Sequence, residues 1–314
     1  MNRSIAVPVV GFITLLACLW FVAKHFGVTT QPAFIASVAL LLAPYWAFGF
    51  GFDNWLRNHL HSAVAQLLAP LLLIVAYVVF ALPNGVFRWS MCLGMTAVVM
   101  AVTLLLQSAK GKPGWRDWLV LAILGISVDF HFFDQAWPVA GLTAIPKLLF
   151  VDVGLYGYLV VRPISRIGFD FRLKRSDMAI GLREFLWFAP IAILLGFALR
   201  FLHLHRTLSS PAEFAAGWLF TLLFVAMPEE LFFRGLMLNM LERHLGTNRA
   251  LAIVSLLFGL AHFNKRAAYF NWRYVILAAV AGVFYGRAWL AKRRLLASSI
   301  THATVDTVWA IWLR

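Results

Sequence analysis

Apolar residues run along this chain in long uninterrupted stretches instead of alternating with polar ones. Stretches near 5–23, 33–52, 64–82, 89–107, 139–161, 184–202, 214–241, 250–263, 274–290 and 296–313 approach the ~20 residues that carry a helix across a bilayer. A further stretch, 117–130, is shorter and reads either as an eleventh span or as a helix lying in the interface. The alternating segments of about ten residues that mark a membrane barrel are absent from the sequence. In lipid each span must satisfy its own backbone N–H and C=O groups, which selects helix over open sheet. The pattern predicts an all-α fold, a polytopic transmembrane helical bundle of about ten spans.

Composition agrees. Of 314 residues, 62% are hydrophobic and 13% charged, against about 45–50% and 25% in soluble domains. The net charge of +14 would suggest nucleic acid in a soluble chain. A solvated basic domain is never this apolar, so the expected partner is the lipid bilayer and no nucleic acid. Lys and Arg then report orientation, because they gather in cytoplasmic loops. The densest cluster, Arg162, Arg166, Arg172, Lys174, Arg175 and Arg183, fills the loop 162–183. If that loop is cytoplasmic, Arg243, Arg249, Lys292, Arg293 and Arg294 fall on the same side, eleven cations in all. Four lie opposite: Arg206, Lys265, Arg266 and Arg273. The loop also divides the chain into an N-terminal transmembrane block, 1–161, with no role legible in its sequence, and a C-terminal block, 184–314.

The N-terminal run from Arg3 to Leu15-Leu16-Ala17-Cys18 has the outline of a lipoprotein signal. It continues through Leu19-Trp20-Phe21-Val22-Ala23, a full span and not a short signal-peptide core. Cys18 and Cys92 both fall in predicted spans and provide neither a disulfide framework nor zinc-type spacing.

Ionisable residues within spans are costly and are functional candidates by default. The N-terminal block has few. Lys147 and Asp152 are five residues apart and share a helix face poorly, which favours structural or snorkelling roles. Asp129, His131 and Asp134 lie near a span boundary, where headgroups wet them. The C-terminal block is different. Its span 214–241 carries Met227-Pro228-Glu229-Glu230-Leu231-Phe232-Phe233-Arg234-Gly235. Glu230 and Arg234 are spaced i,i+4 and pair on one face. Glu229 is rotated by about 100° and projects elsewhere. Pro228 loosens the preceding turn, which suits a cavity better than a lipid-facing surface. In the next span Phe258 and His262 share a face, and in the last span His302 and Asp306 do the same. A lone histidine on an apolar helix is more often a hydrogen-bonded core residue. A glutamate, two histidines and an aspartate in three spans close in sequence are harder to explain that way.

In that order, Glu229-Glu230 with Arg234, Phe258 with His262, and His302 with Asp306 resemble three motifs of the CPBP family of intramembrane proteases. That family includes the type II CAAX prenyl endopeptidases and bacterial Abi-type proteins. The stretch Ala281–Gly286 before Ser298-Ser299-Ile300-Thr301-His302 adds to the likeness, which covers roughly 184–313. The resemblance implies peptide-bond hydrolysis within the membrane, on a membrane protein or a lipidated peptide substrate. Glu229 would be the general base, assisted by His262, and His302 the oxyanion donor together with residue 306. Glu230, Arg234 and Phe258 would support them. The family's commoner residue at 306 is asparagine. An ionised Asp306 accepts hydrogen bonds and donates none, so it is protonated, or orients His302, or holds a cation. The family is often described as metalloproteases, and Glu229, His262, His302 and Asp306 are acceptable zinc ligands, but a metal-free glutamate mechanism suits the same residues. No His-Glu-x-x-His motif decides between them. The rival readings are a non-catalytic immunity or scaffold protein on the same fold, and a transporter. The latter predicts two similar halves with broken helices, which the sequence lacks.

Overall fold

The computed structural model describes residues 3–25, 31–139, 144–205, 210–265, 267 and 269–313. Every regular element among them is helical. Twelve helices follow one another: α1 (Arg3–His25), α2 (Pro32–Phe48), α3 (Phe52–His59), α4 (Ala63–Ala81), α5 (Trp89–Gln107), α6 (Trp115–Asp129), α7 (Ala144–Tyr156), α8 (Arg175–Ala198), α9 (Pro211–Leu245), α10 (Thr247–Leu260), α11 (Trp272–Lys292) and α12 (Leu295–Val308). Exposed apolar side chains such as Leu72, Leu186 and Leu194 stud the outer faces, as expected where the surrounding solvent is lipid. The chain is an integral membrane protein.

Length and composition of the described helices identify fewer spans than the apolar runs do. Among the described residues, α4, α5, α8, α9 and α11 are long and apolar enough to cross, and a sixth is added if α2 and α3, bent by 91°, form one broken span. The sequence pattern predicted about ten. Helix α10 runs for only 14 residues, short of the ~20 required, while α7 and α12 continue without a break into the π-helical segments Gly157–Val161 and Trp309–Leu313. Helix α6, in the ambiguous stretch 117–130, has 15 residues. Arg206 and Arg266 of the charge census lie outside the described residues.

The chain divides into two compact units, Met1–Ile164 and Ser165–Arg314. The first packs α2 against α4 and α7. Its buried polar groups are mostly matched: Trp137 Nε1 donates to Ser37 Oγ at 2.9 Å, Tyr158 donates to the Asp117 carbonyl at 2.8 Å, and Arg162 pairs with the Asp117 carboxylate.

In the second unit, α10 lies on α11, and α8, α11 and α12 pack mutually. Close approach is set by glycine. A Cβ at Gly282 would stand 3.0 Å from Ser255 Cα, and one at Gly286 would stand 2.2 Å from Leu251 Cδ1. Small residues one turn apart let membrane helices approach closely. One end of this unit gathers most of the basic residues that the sequence placed on one side. Gly168, at φ +81°, turns the chain so that its carbonyl accepts from Leu295 N at 3.0 Å. Arg294 bridges Asp170 at 2.9 Å and Asp177 at 2.8 Å, Arg293 holds Glu242 at 2.5 Å, and Arg243 donates to the Ser165 carbonyl at 3.0 Å. Burial of Asp170 opposes ionisation, but hydrogen bonds from Arg294 and the Arg172 backbone outweigh it and hold the carboxyl below its ordinary range. Arg294 is correspondingly raised, against the effect of its own burial, by Asp177 and Asp170.

Candidate functional site

Helix α9 is not a regular α-helix. Residues Leu222–Ala226 and Leu231–Leu238 are π-helical, and the α-helical turn Met227–Glu230 sits between them. Pro228 accounts for the first widening. It offers no N–H to Phe224 and its ring crowds that carbonyl, and the Met227 N–H reaches back to Leu222 O instead. Such π turns are frequent at functional sites. Here they set the rotational phase of Glu229 and Glu230.

Glu230 pairs with Arg234, as the spacing predicts, at 2.9 Å. Arg234 also donates to Gly282 O at 3.0 Å, and its guanidinium lies over the Phe258 ring at 4.5 Å. The carboxylate does more than pair. His302 Nδ1 donates to Glu230 Oε1 at 2.8 Å, and Ser298 Oγ bonds Glu230 Oε2 and approaches Tyr285 O at 2.9 Å. Glu230, Arg234, Ser298 and His302 are all buried. The imidazole is clamped further by Tyr285, stacked at 4.5 Å and 17°, and by Phe258, edge-on at 5.7 Å.

The other ring nitrogen faces a different environment. Glu229 Oε2 is 3.9 Å and Asp306 Oδ2 3.4 Å from His302 Nε2, and both side chains are partly open, at 24% and 32% exposure. The two adjacent glutamates thus reach opposite nitrogens of one ring. Asp306 is brought to His302, but the Nδ1 partner that fixes the ring is Glu230. Sequence reasoning missed that contact, along with Ser298 and Tyr285. The signal for Ser298 was its spacing: residues 298, 302 and 306 repeat every four positions along one face.

His302, Asp306 and His262 line a cavity of about 110 Å³ whose remaining walls are mostly apolar, including Phe188, Leu277, Ala281, Val305 and Trp309. His262 Nδ1 donates to Phe258 O at 2.8 Å, which leaves Nε2 as the basic nitrogen of the neutral ring. Its ring is 4.8 Å from both Phe258 and Tyr274. A second cavity, of about 470 Å³, is lined by Arg200, His203, Tyr269, Arg273 and others, and shares Phe201 and Trp309 with the first. Among the described residues no three His, Cys, Asp or Glu side chains form a group able to hold a metal ion.

Fold and site together define a class: a helical membrane protein with a carboxylate–histidine cluster facing an apolar cavity. Residues 211–308, about a third of the chain, match the family described as "Type II CAAX prenyl endopeptidase Rce1-like". The match agrees with the three motifs, and its segment contains Glu229, Glu230, Arg234, Phe258, His262, His302 and Asp306. No curated protein and no solved structure matches the chain. The matched family acts within membranes, so its substrates are membrane-associated.

Proposed function

We propose that the chain is an intramembrane endopeptidase that hydrolyses a peptide bond of a membrane-associated substrate with a glutamate-activated water. The observation that carries this reading is the pair of partly open carboxylates, Glu229 and Asp306, facing Nε2 of a histidine whose Nδ1 is fixed by a buried third carboxylate. Amide hydrolysis needs an activated water, a stabilised oxyanion and a proton for the leaving amine. Glu229 takes a proton from water while His262 Nε2 accepts the water's other hydrogen bond. The resulting hydroxide bonds to the carbonyl carbon. In its protonated form His302 donates from Nδ1 to Glu230 and presents Nε2–H to the oxyanion, with Asp306 beside that nitrogen to balance its charge. Collapse breaks the C–N bond, and Glu229 returns its proton to the amine. Glu230 positions the donor, and Arg234 and Ser298 hold Glu230 in place.

The substrate's size enters here. A cavity of about 110 Å³ is smaller than the ~150 Å³ that admits a benzene molecule. It accommodates a small apolar side chain and a water, while the rest of the substrate lies in the bilayer. Prenylated peptides, named by the family match, are one such class. Zinc enters no step. With purified protein in liposomes, chelator should leave cleavage intact, and a loss restored by zinc would replace the scheme with a metalloprotease one.

The test of the whole reading is comparative proteomics of membranes carrying wild-type or Glu229→Gln protein. Substrates should accumulate uncleaved with the variant. Identical fragment patterns would instead support a non-catalytic scaffold.

A further inference from the structure

A charged cluster that the mechanism does not use lies between α8 and α11. Glu184 on α8 is completely buried. Its Oε1 accepts two hydrogen bonds from Arg183, from Nε at 3.0 Å and Nη2 at 2.7 Å, and its Oε2 accepts one from Arg287 Nε of α11 at 2.9 Å. The side chains of the arginines are 53% and 50% exposed. One carboxylate thus holds two guanidinium groups side by side at the protein surface. The cluster keeps a net positive charge, and most of the planar N–H donors on the two forks have no acceptor among the described residues.

Its setting is specific. The N-terminus of α8 and the C-terminus of α11 lie at the same end of the unit, joined by Arg294 to Asp177. Arg183 is eight residues into α8, roughly 12 Å along the axis, and Arg287 is five residues from the end of α11, roughly 7.5 Å. Both are therefore near one membrane boundary, below the basic end formed by Arg172, Lys174, Arg175 and Lys292. From Arg183 an exposed apolar stripe runs along the same face of α8 through Leu186, Trp187, Pro190 and Leu194. A half-exposed arginine pair above a lipid-facing stripe is costly in bare hydrocarbon. It becomes favourable when an anion of the membrane itself meets it, and basic pockets between transmembrane helices bind anionic lipid headgroups in this way.

We infer that Arg183 and Arg287, braced by Glu184, bind the phosphate of an anionic phospholipid, with an acyl chain lying along Leu186, Trp187 and Leu194. Arginine suits the task because its planar fork meets phosphate oxygens in pairs. The apolar stripe commits the site to a lipid, since a free phosphate gains nothing from it. The inference does not depend on the protease reading.

Native mass spectrometry and thermal unfolding of the purified full chain, with phosphatidylglycerol, phosphatidylcholine or inorganic phosphate added, test it. Phosphatidylglycerol should stay bound and raise the unfolding temperature, and the other two should not. Arg183→Gln with Arg287→Gln should weaken phosphatidylglycerol binding by about 30-fold, the value for two arginines each near an anionic surface. That double variant strands the buried Glu184. A triple variant adding Glu184→Gln removes the lone charge and should fold, with the same loss of binding. Equal stabilisation by phosphatidylcholine or by inorganic phosphate, or undiminished phosphatidylglycerol binding by a folded triple variant, would overturn the site.

Discussion

Both units bury carboxylates among apolar helices, and they treat them in opposite ways. In the N-terminal unit Asp152 is fully buried on α7, and neither of its oxygens has a hydrogen-bond partner among the described residues. In the C-terminal unit Glu230 is equally buried, and its two oxygens engage Arg234, His302 and Ser298. Burial of an acid does not by itself make a site. What separates the two is convergence: Glu230 anchors a histidine that lines a cavity and whose far nitrogen is approached by two partly exposed carboxylates, and among the described residues nothing comparable surrounds Asp152.

That contrast can be broken most directly by activity. Glu229→Ala, His262→Ala and His302→Ala should each remove proteolysis by purified protein, with losses of about 10²–10⁴-fold from the general-base step for Glu229. Asp152→Asn should cleave at the wild-type rate. Full cleavage by Glu229→Ala would sink the assignment, and a loss with Asp152→Asn would give the N-terminal unit a part in the chemistry.

Stability sharpens the comparison next. Glu230→Ala or Arg234→Ala strands a buried partner and should cost about 3–5 kcal/mol in thermal or denaturant unfolding. Asp152→Leu should do the reverse, since replacing an unmatched buried polar group by a packed apolar one is neutral or stabilising, by about 1 kcal/mol or more. Lower stability in Asp152→Leu would reveal a partner for that carboxylate.

Within the site, Asp306→Asn separates the roles left open for that residue. Glu230 already fixes Nδ1 of His302, so Asp306 acts through Nε2, at 3.4 Å. Losing its charge should slow cleavage by about 10–100-fold, as removal of a supporting partner does, with little change in unfolding temperature. A wild-type rate throughout the neutral pH range would assign residue 306 to donation by its own side chain instead.

The smallest effect belongs to the basic end of the C-terminal unit. Asp170 has a depressed carboxyl pKa in the folded chain, where Arg294 hydrogen bonds outweigh burial. Its stabilisation is therefore present above the unfolded value of about 3.9 and disappears as pH falls through the folded value. Asp170→Asn should lower the unfolding temperature slightly at neutral pH and leave it unchanged in strong acid. The same residue reports orientation. A cysteine at 170 should resist membrane-impermeant reagents on intact cells, and ready labelling would invert the topology that the basic residues imply.

The amino-acid sequence determined the class of fold, because hydrophobic length is a local property and lipid leaves only helix as a solution. It set α5 at Trp89–Gln107, the limits predicted from the apolar run, and it made the Glu230–Arg234 pair, which depends only on spacing along one helix. It also carried the three motifs. The tertiary structure decided which groups meet across helices. His302 and Glu230 lie 72 residues apart, so their contact depends on the rotation of α9 and α12 about their axes. The π turns on either side of Glu229 and Glu230 shift that rotation away from the regular 100° per residue. Neither Glu230 at Nδ1 of His302 nor the shared hold of Glu184 on Arg183 and Arg287 was legible from spacing, since each is fixed by the packing of one helix on another.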